Sequence, residues 1–239
     1  MTGQPALATD RLLLRPFTLA DAPEVQRIAG DYDIASRTLD IPYPYLDGVA
    51  ETWIATLGPG FGQGGVQIVY AVTRRGDPGL VGAVGFVGID HSHGRAELGF
   101  WIAKSCWGKG YATEAARAVI EYGFSVLGLH RVYATHFSRN PASGRVMAKC
   151  GMAHEAHLRE HARKWGGSLR TSRSGGEFSA AIGGSGARPP RRSGSAGSIE
   201  PAGSTFELPP YGKYSELPPR PEGRGFLLHG QHLHHRDVM

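Results

Sequence analysis

Cys106-Trp107-Gly108-Lys109-Gly110-Tyr111-Ala112-Thr113-Glu114-Ala115 is the stretch that decides the fold of this chain. Two glycines stand one residue apart, after an apolar strand-like segment and before a helix-like one. Glycine has no Cβ, so the backbone there can turn tightly and a ligand can come close. The first N–H groups of the following helix have no partner inside it, and with the helix dipole they make an anion site. The stretch therefore reads as a strand–turn–helix joint built to hold a pyrophosphate. It is not a Walker loop, because the Gly-x-x-x-x-Gly-Lys-Ser/Thr spacing is missing. Nor is it a dinucleotide fingerprint: Thr113 stands where the third glycine would fall, and no βαβ unit follows.

The neighbouring sequence extends that joint. Glu97-Leu98-Gly99-Phe100-Trp101-Ile102-Ala103 reads as a strand, from about Arg95. Tyr111 to about Leu127 reads as a helix with a small and apolar stripe at Ala112, Ala116, Val119, Ile120, Gly123 and Leu127. Arg131–Phe137 alternates like a strand. Asn140-Pro141-Ala142-Ser143 opens a further helix, with Pro141 in its first turn, and Gly151 suits its C′ position. Met152–Leu158 reads as one more strand. Towards the N-terminus, Arg11–Arg15 is a strand. Thr18-Leu19-Ala20-Asp21 is a capping box with Asp in place of Glu, opening a helix to about Gly30. Ile41-Pro42-Tyr43-Pro44-Tyr45 is an extended aromatic loop, and Asp47 caps a second helix through Leu57 with Trp53 and Ile54 facing inward. Gln67–Arg74 and Leu80–Asp90 form an antiparallel hairpin around the turn Gly76-Asp77-Pro78-Gly79. Grouped strands with helices packed on them make an α+β domain.

Composition sets further bounds. The chain has 239 residues, a formal net charge of +5 and a pI of about 9.4. That mild basicity suits phosphate groups or a ribosomal surface and gives no case for direct nucleic-acid binding. With two cysteines, Cys106 and Cys150, a disulfide framework is not expected and a reducing cytoplasm is the expected location. No signal peptide and no membrane span are expected. From Gly166 to Met239 the chain is rich in Gly, Ser, Pro and Arg without helical or strand period. Such a segment buries too little apolar surface to offset its ordering entropy. Residues 8–165 are therefore the expected folded domain, and 166–239 a low-complexity, disordered tail. His229, His232, His234 and His235 lie in that tail without a fixed geometry, and no metal is expected.

Taken in order, Thr9-Asp10-Arg11-Leu12-Leu13-Leu14-Arg15, Glu97–Ile102, Trp107–Ala115 and Asn140–Ser143 with Gly151 resemble the GNAT superfamily of N-acetyltransferases. Within it they are similar to the RimJ/RimL type that acetylates N-termini of ribosomal proteins. The resemblance covers roughly residues 8–165. It implies the acyl-CoA N-acyltransferase fold, a mixed and mostly antiparallel sheet flanked by helices, as a monomer or homodimer. It implies acetyl-CoA as co-substrate, a primary amine as acceptor and no metal. The family continues after Lys164-Trp165 with an apolar strand inside the sheet, where this chain has Gly167-Ser168-Leu169-Arg170-Thr171-Ser172-Arg173-Ser174. One back-translation of Ser168–Phe178, read one base later, gives Arg-Phe-Glu-His-Leu-Val-Leu-Ala-Val-Asn, an apolar strand. The tail is thus compatible with a frameshift origin, and the domain is expected to lack its closing strand.

The resemblance also assigns roles. The amine attacks the thioester directly, an oxyanion develops and the CoA thiolate leaves. The strand through Phe100, Trp101 and Ile102 pairs with the pantetheine arm through its backbone, although both aromatics also read as ordinary sheet-face residues. Gly108, Lys109, Gly110, Tyr111, Ala112 and Thr113 hold the pyrophosphate. Asn140 contacts the CoA arm or simply caps its helix. Ser143 is the acid that protonates the departing sulfur, or else a polar first-turn residue. Glu97 is the candidate base and Glu160 the runner-up, each with an alternative reading as a surface carboxylate. An α-amino group, with a pKa of about 7.7, is roughly one-sixth neutral at pH 7, whereas a lysine near 10.4 is neutral only about once in 2,500. An N-terminal acceptor therefore asks for little more than a water-relayed carboxylate. The acceptor is expected along Asp31–Leu57. A protein N-terminus, such as that of a ribosomal protein, is the first acceptor class; a small amine of aminoglycoside or polyamine type is the second. An inactive CoA-binding protein or a non-folding remnant is the third reading.

Overall fold

The computed structural model describes residues 4–57, 67–165, 169–173 and 178–181. Its centre is a run of long antiparallel strands. β1 (Leu7–Ala8), β2 (Leu12–Pro16), β3 (Ile68–Arg74), β4 (Asp77–Asp90) and β5 (Arg95–Ile102) pair in that order. β3 is buried along six of its seven residues rather than on alternate ones. This follows from covering the sheet with helices on both faces, which removes the polar-out alternation of a one-sided sheet.

The two faces carry separate apolar clusters. On one, α4 (Tyr111–Ser125) and α5 (Pro141–Lys149) pack Ala115, Ala116, Val119, Ile120 and Met147 against Leu12, Tyr70, Val84 and Phe86. Gly123 is required there: a Cβ would meet the Phe86 ring at 2.6 Å. On the other face, α1 (Ala22–Ala29), the single turn α2 (Tyr32–Ala35) and α3 (Val49–Thr56) pack Val25, Ile28, Ile34 and Ile54 against Ala71, Leu80 and Ala103. The capping box forms at Thr18, whose N–H and hydroxyl both donate to Asp21 Oδ2 at 2.8 and 3.1 Å. Asp21 also accepts from Arg15 at 2.6 and 2.8 Å.

Beyond β5 the sheet continues with β6 (Arg131–Ala134), then β10 (Phe178–Ala181), then β7 (Ala153–His154). The β5–β6 pair is parallel; the others in the sheet are antiparallel. β8 (Leu158–Lys164) and β9 (Leu169–Arg173) form a separate two-stranded ribbon.

Here the structure corrects the expectation of a missing closing strand. β10 lies inside the sheet, with Phe178 opposite Ala134 on one side and His154 on the other. A strand paired on both edges is held by backbone N–H and C=O groups, which every residue but proline supplies, so a composition without strand character does not prevent pairing. The sheet accordingly extends past the boundary drawn at Trp165. The remainder of the tail, with its histidines and its expected disorder, lies outside the described residues. Three smaller expectations also change. The strand expected over Met152–Leu158 is split between β7 and β8. The second helix is capped by Gly48, because Asp47 accepts from Gln26 Nε2 at 2.6 Å instead. The hairpin turn narrows to Arg75-Gly76.

Candidate active site

The glycine loop has the conformation its composition calls for. Gly108 and Gly110 have φ of 75° and 81°, and Gly110 is the N-cap of α4. A Cβ on Gly108 would meet nothing within 4 Å, so that face of the loop is open to a ligand. Glu114 N–H returns to Gly110 O at 3.1 Å, which leaves the amides of Tyr111, Ala112 and Thr113 at the open first turn. A groove of about 650 Å³ beside them is lined in part by Arg11, Gly110, Thr113, Arg117 and Lys149. The groove also carries Asp10, Glu114 and Glu121, which balance its three cations, so what suits an anion such as a diphosphate is the open first turn itself, with its backbone donors at a helix N-terminus.

A brace that sequence reasoning missed holds this loop. Glu114 Oε1 accepts from Thr9 Oγ1 at 2.6 Å and from Arg11 N–H at 2.9 Å, and Glu114 Oε2 accepts from Arg11 Nε at 2.7 Å. Arg11 Nη1 then donates to Lys109 O at 3.1 Å, and its guanidinium lies 4.9 Å from the Tyr111 ring centroid. Burial alone would raise the Glu114 carboxyl, but these donors outweigh it and hold the carboxyl below its ordinary range. Thr9, Arg11 and Glu114 all stand in the recognised motifs. Their contact, across more than a hundred residues, has no signal in one sequence.

The strand geometry supplies the next part. β5 pairs with β6 only over Arg95–Glu97 against Arg131–Tyr133. On its other side it stays paired with β4 as far as Ile102. Among the described residues, Leu98–Ile102 thus has no strand against its β6-side edge, and that edge can pair with an extended ligand through its backbone. The two aromatics point to opposite faces: Phe100 packs with the α4-side cluster and Trp101 with the α1-side cluster. Both are sheet-face residues, so what they can offer a ligand is main chain. Ile102 O is already occupied by Trp107 Nε1 at 2.7 Å.

Glu97 stands where β5 and β6 part, and its Oε1 accepts from Thr135 Oγ1 at 2.9 Å. Asn140 is buried, makes no side-chain cap to its helix, and donates from Nδ2 to Ser143 Oγ at 2.9 Å. A hydroxyl that accepts this bond keeps its own proton for another partner, which is the state an acid at this position needs. Asn140 Nδ2 also makes a long contact of 3.5 Å to Arg37 O. The structure brings Asn140 and Ser143 together by a hydrogen bond, whereas the partner of Glu97 is Thr135. Glu160 is exposed on β8 with φ of 46° and joins none of them. The cysteines are unpaired with each other: Cys106 packs at the border of both clusters, and burial raises the Cys150 thiol. Among the described residues no cluster of His, Cys, Asp and Glu could hold a metal, and no helix is long and apolar enough to cross a membrane.

The comparisons with known proteins bear on the family. Residues 11–153 match the acetyltransferase (GNAT) domain. The chain is 34% identical over 157 residues to the uncharacterised N-acetyltransferase YoaA of Bacillus subtilis, a match covering 66% of this chain and 88% of that protein. It is 25% identical over 150 residues to a spermidine N(1)-acetyltransferase of Vibrio cholerae, covering 63% and 83%. Among solved structures, a Vibrio cholerae protein provisionally titled a ribosomal-protein-serine acetyltransferase superposes with a TM-score of 0.60 at 25% identity, over 76% of this chain and 99% of that one. An anion loop braced at a helix start, a strand edge opened beside it and a family match spanning both lead to one conclusion: the chain belongs to the GNAT family and is an acetyl-CoA-dependent N-acetyltransferase.

Proposed function

We propose that the acceptor is a protein or peptide N-terminal α-amino group, acetylated in the cytoplasm in the manner of the RimJ/RimL type. The observation that carries this reading is the charge state of α2 and its cap, the part of the segment that leads into Arg37 and its contact with Asn140. Asp33 is paired with both Arg37 and Lys104, and the Asp31 carboxylate caps α2 by accepting from Asp33 N–H at 2.8 Å. Hydrogen bonds from Lys104 and then Arg37 hold the Asp33 carboxyl below its ordinary value. A polyamine carries several charges and needs carboxylates that are not already engaged, whereas an N-terminus presents a single amine, a useful fraction of it neutral at pH 7. The solved structure provisionally titled a ribosomal-protein-serine acetyltransferase supports the same reading.

In this reading the amides of Gly108–Thr113 bind the diphosphate, and the backbone of Phe100–Ile102 aligns the pantetheine arm and faces the developing oxyanion. Asn140 orients Ser143, whose hydroxyl proton goes to the departing sulfur. Glu97 takes the ammonium proton through water. The spermidine-acetylating relative favours a small polyamine acceptor instead. The test measures free thiol released from acetyl-CoA with a panel of short peptides, spermidine and an aminoglycoside. Peptides with a free N-terminus should react fastest, and N-terminally blocked peptides bearing lysine should not react. Preference for spermidine over every peptide would replace the first acceptor class with the second.

A further inference from the structure

Three aromatic rings gather at the end of the acceptor segment. Tyr32, which opens α2, and Tyr43 meet edge to face with centroids 5.2 Å apart. Trp165, at the end of β8, lies 6.0 Å from Tyr32 and 5.7 Å from Tyr43. Large aromatic rings at a protein surface are usually covered, yet Tyr32 and Tyr43 are 53% and 46% exposed.

The cluster is tied to the reaction site by short links. Arg37, one turn past Tyr32, lies 5.1 Å from the Trp107 ring of the glycine-loop segment and offers its carbonyl to Asn140. Arg139 Nη2 donates to Ser36 O at 2.6 Å. From the other side, Lys164 Nζ donates to Leu39 O and Ile41 O at 3.0 and 2.8 Å, and Trp165 Nε1 donates to Ile41 O at 3.2 Å. The rings thus sit on a backbone held at both ends, and the chain that joins Tyr32 to Tyr43 reaches Asn140 through the carbonyl of Arg37. On the segment that carries them, Asp33 is paired with both Arg37 and Lys104, so this carboxylate is already engaged and is not free for a polycation.

We infer that Tyr32, Tyr43 and Trp165 form the subsite for the acceptor's first side chain, and that the side chain it takes is apolar, either aromatic or long aliphatic. This rests on the acetyl-transfer reading given above and adds the class of acceptor to it. Two half-exposed rings that touch each other leave their outer faces and edges for a third apolar group. Covering them would contribute about tenfold in affinity for one such side chain.

The test titrates the protein, with and without CoA, with the dipeptide amides Phe-Gly, Leu-Gly, Ser-Gly and Glu-Gly and with spermidine, by calorimetry. Acetylation rates are followed in parallel. Phe-Gly and Leu-Gly should bind about tenfold tighter than Ser-Gly and Glu-Gly. Tyr32→Ala and Tyr43→Ala, both changes at exposed rings, should each remove most of that preference and leave CoA affinity within a factor of two. Equal binding of the four amides, no binding of any, tighter binding of spermidine, or a preference that survives both substitutions would overturn the subsite. Failure to bind CoA or to acetylate any amine would strike the acetyl-transfer reading instead, since side-chain preference is read on the protein without CoA as well.

Discussion

The glycine loop and the acceptor segment are fixed in different ways. The loop is made locally: two glycines of positive φ, a helix beginning at the second, and first-turn amides left open. Its distant partners, Thr9 and Arg11, only brace a shape the local sequence already favours. The acceptor segment between α1 and α3 has no such framework of its own. Its one regular element, α2, is four residues long, and its carbonyls are held by Arg139, Asn140, Lys164 and Trp165, all about a hundred residues or more away. A binding site whose shape comes from nearby dihedral preferences can be recognised in a sequence. One whose shape comes from side chains reaching in from elsewhere cannot.

Replacing the hinge of the loop should have the largest effect. Gly110→Glu places an L-residue at φ of 81°, which costs about 1–2 kcal/mol, and sets a carboxylate among the amides proposed to receive phosphate. Acetyl-CoA affinity measured by calorimetry should fall at least about 100-fold, with peptide-amide binding by the CoA-free protein retained. Unchanged CoA affinity would remove the loop from the site. Ser143→Ala comes next. It should lower kcat by roughly 100-fold, the lower end of general-acid effects, with the KM for acetyl-CoA little changed. An unchanged kcat would reduce Ser143 to a first-turn serine.

The same contrast explains what the sequence could tell. Strands β2 to β5, α1, α4 and α5 were legible because period, capping and glycine placement are short-range signals. The Arg15 contact to the capping-box Asp21 was not, although both residues stand in recognised motifs. β10 was hidden for a different reason. Phe178-Ser179-Ala180-Ala181 carries little strand signal, and its place between β6 and β7 is set by two neighbours offering free edges. The meeting of Asn140 and Ser143 was legible because they lie within one turn of a helix. The Thr9–Arg11–Glu114 brace and the Tyr32–Tyr43–Trp165 cluster were not, because each joins parts of the chain that meet only after folding.

A smaller change sharpens the comparison on the loop side. Glu114→Gln keeps the shape of the brace but loses the charge that Arg11 engages at 2.6 Å. Charge-assisted hydrogen bonds of this kind are worth about 1.5–3 kcal/mol, part of which falls on the pose of Lys109 and Gly110. The KM for acetyl-CoA should rise about tenfold while kcat stays within a factor of three, since no reacting atom is touched. Because the Glu114 carboxyl is held below its ordinary value, its stabilisation is present above the unfolded pKa of about 4.5 and is lost as pH falls through the folded one. The wild-type protein should therefore lose more stability than Glu114→Gln on acidification from pH 5. Parallel acid limbs would show the brace to be energetically idle.

The least visible effect belongs to the acceptor side, where a cation is the anchor. Lys164 is 1% exposed, and burial, foremost among its surroundings, brings its ammonium down to about 8 from 10.5. Asp40 opposes this shift and Arg139 adds to it. Between pH 8 and 10.5 the unfolded chain still holds this proton while the folded one has released it, so the unfolded state binds more protons and stability from this residue rises with pH. Below about pH 8 both states are protonated and the contribution is level. The difference in Tm between wild type and Lys164→Met cancels the other titrations. It should be flat from pH 6 to 7.5, then shift by a few degrees in favour of wild type towards pH 10, as about 1 kcal/mol does in a chain of this size. A difference that stays constant would mean that the bonds to the Leu39 and Ile41 carbonyls offset the burial of the ammonium, and a difference that moves the other way that they outweigh it. In either case the anchor behind this segment would be a cation charged over the whole range, and its hold on the two carbonyls would be independent of pH.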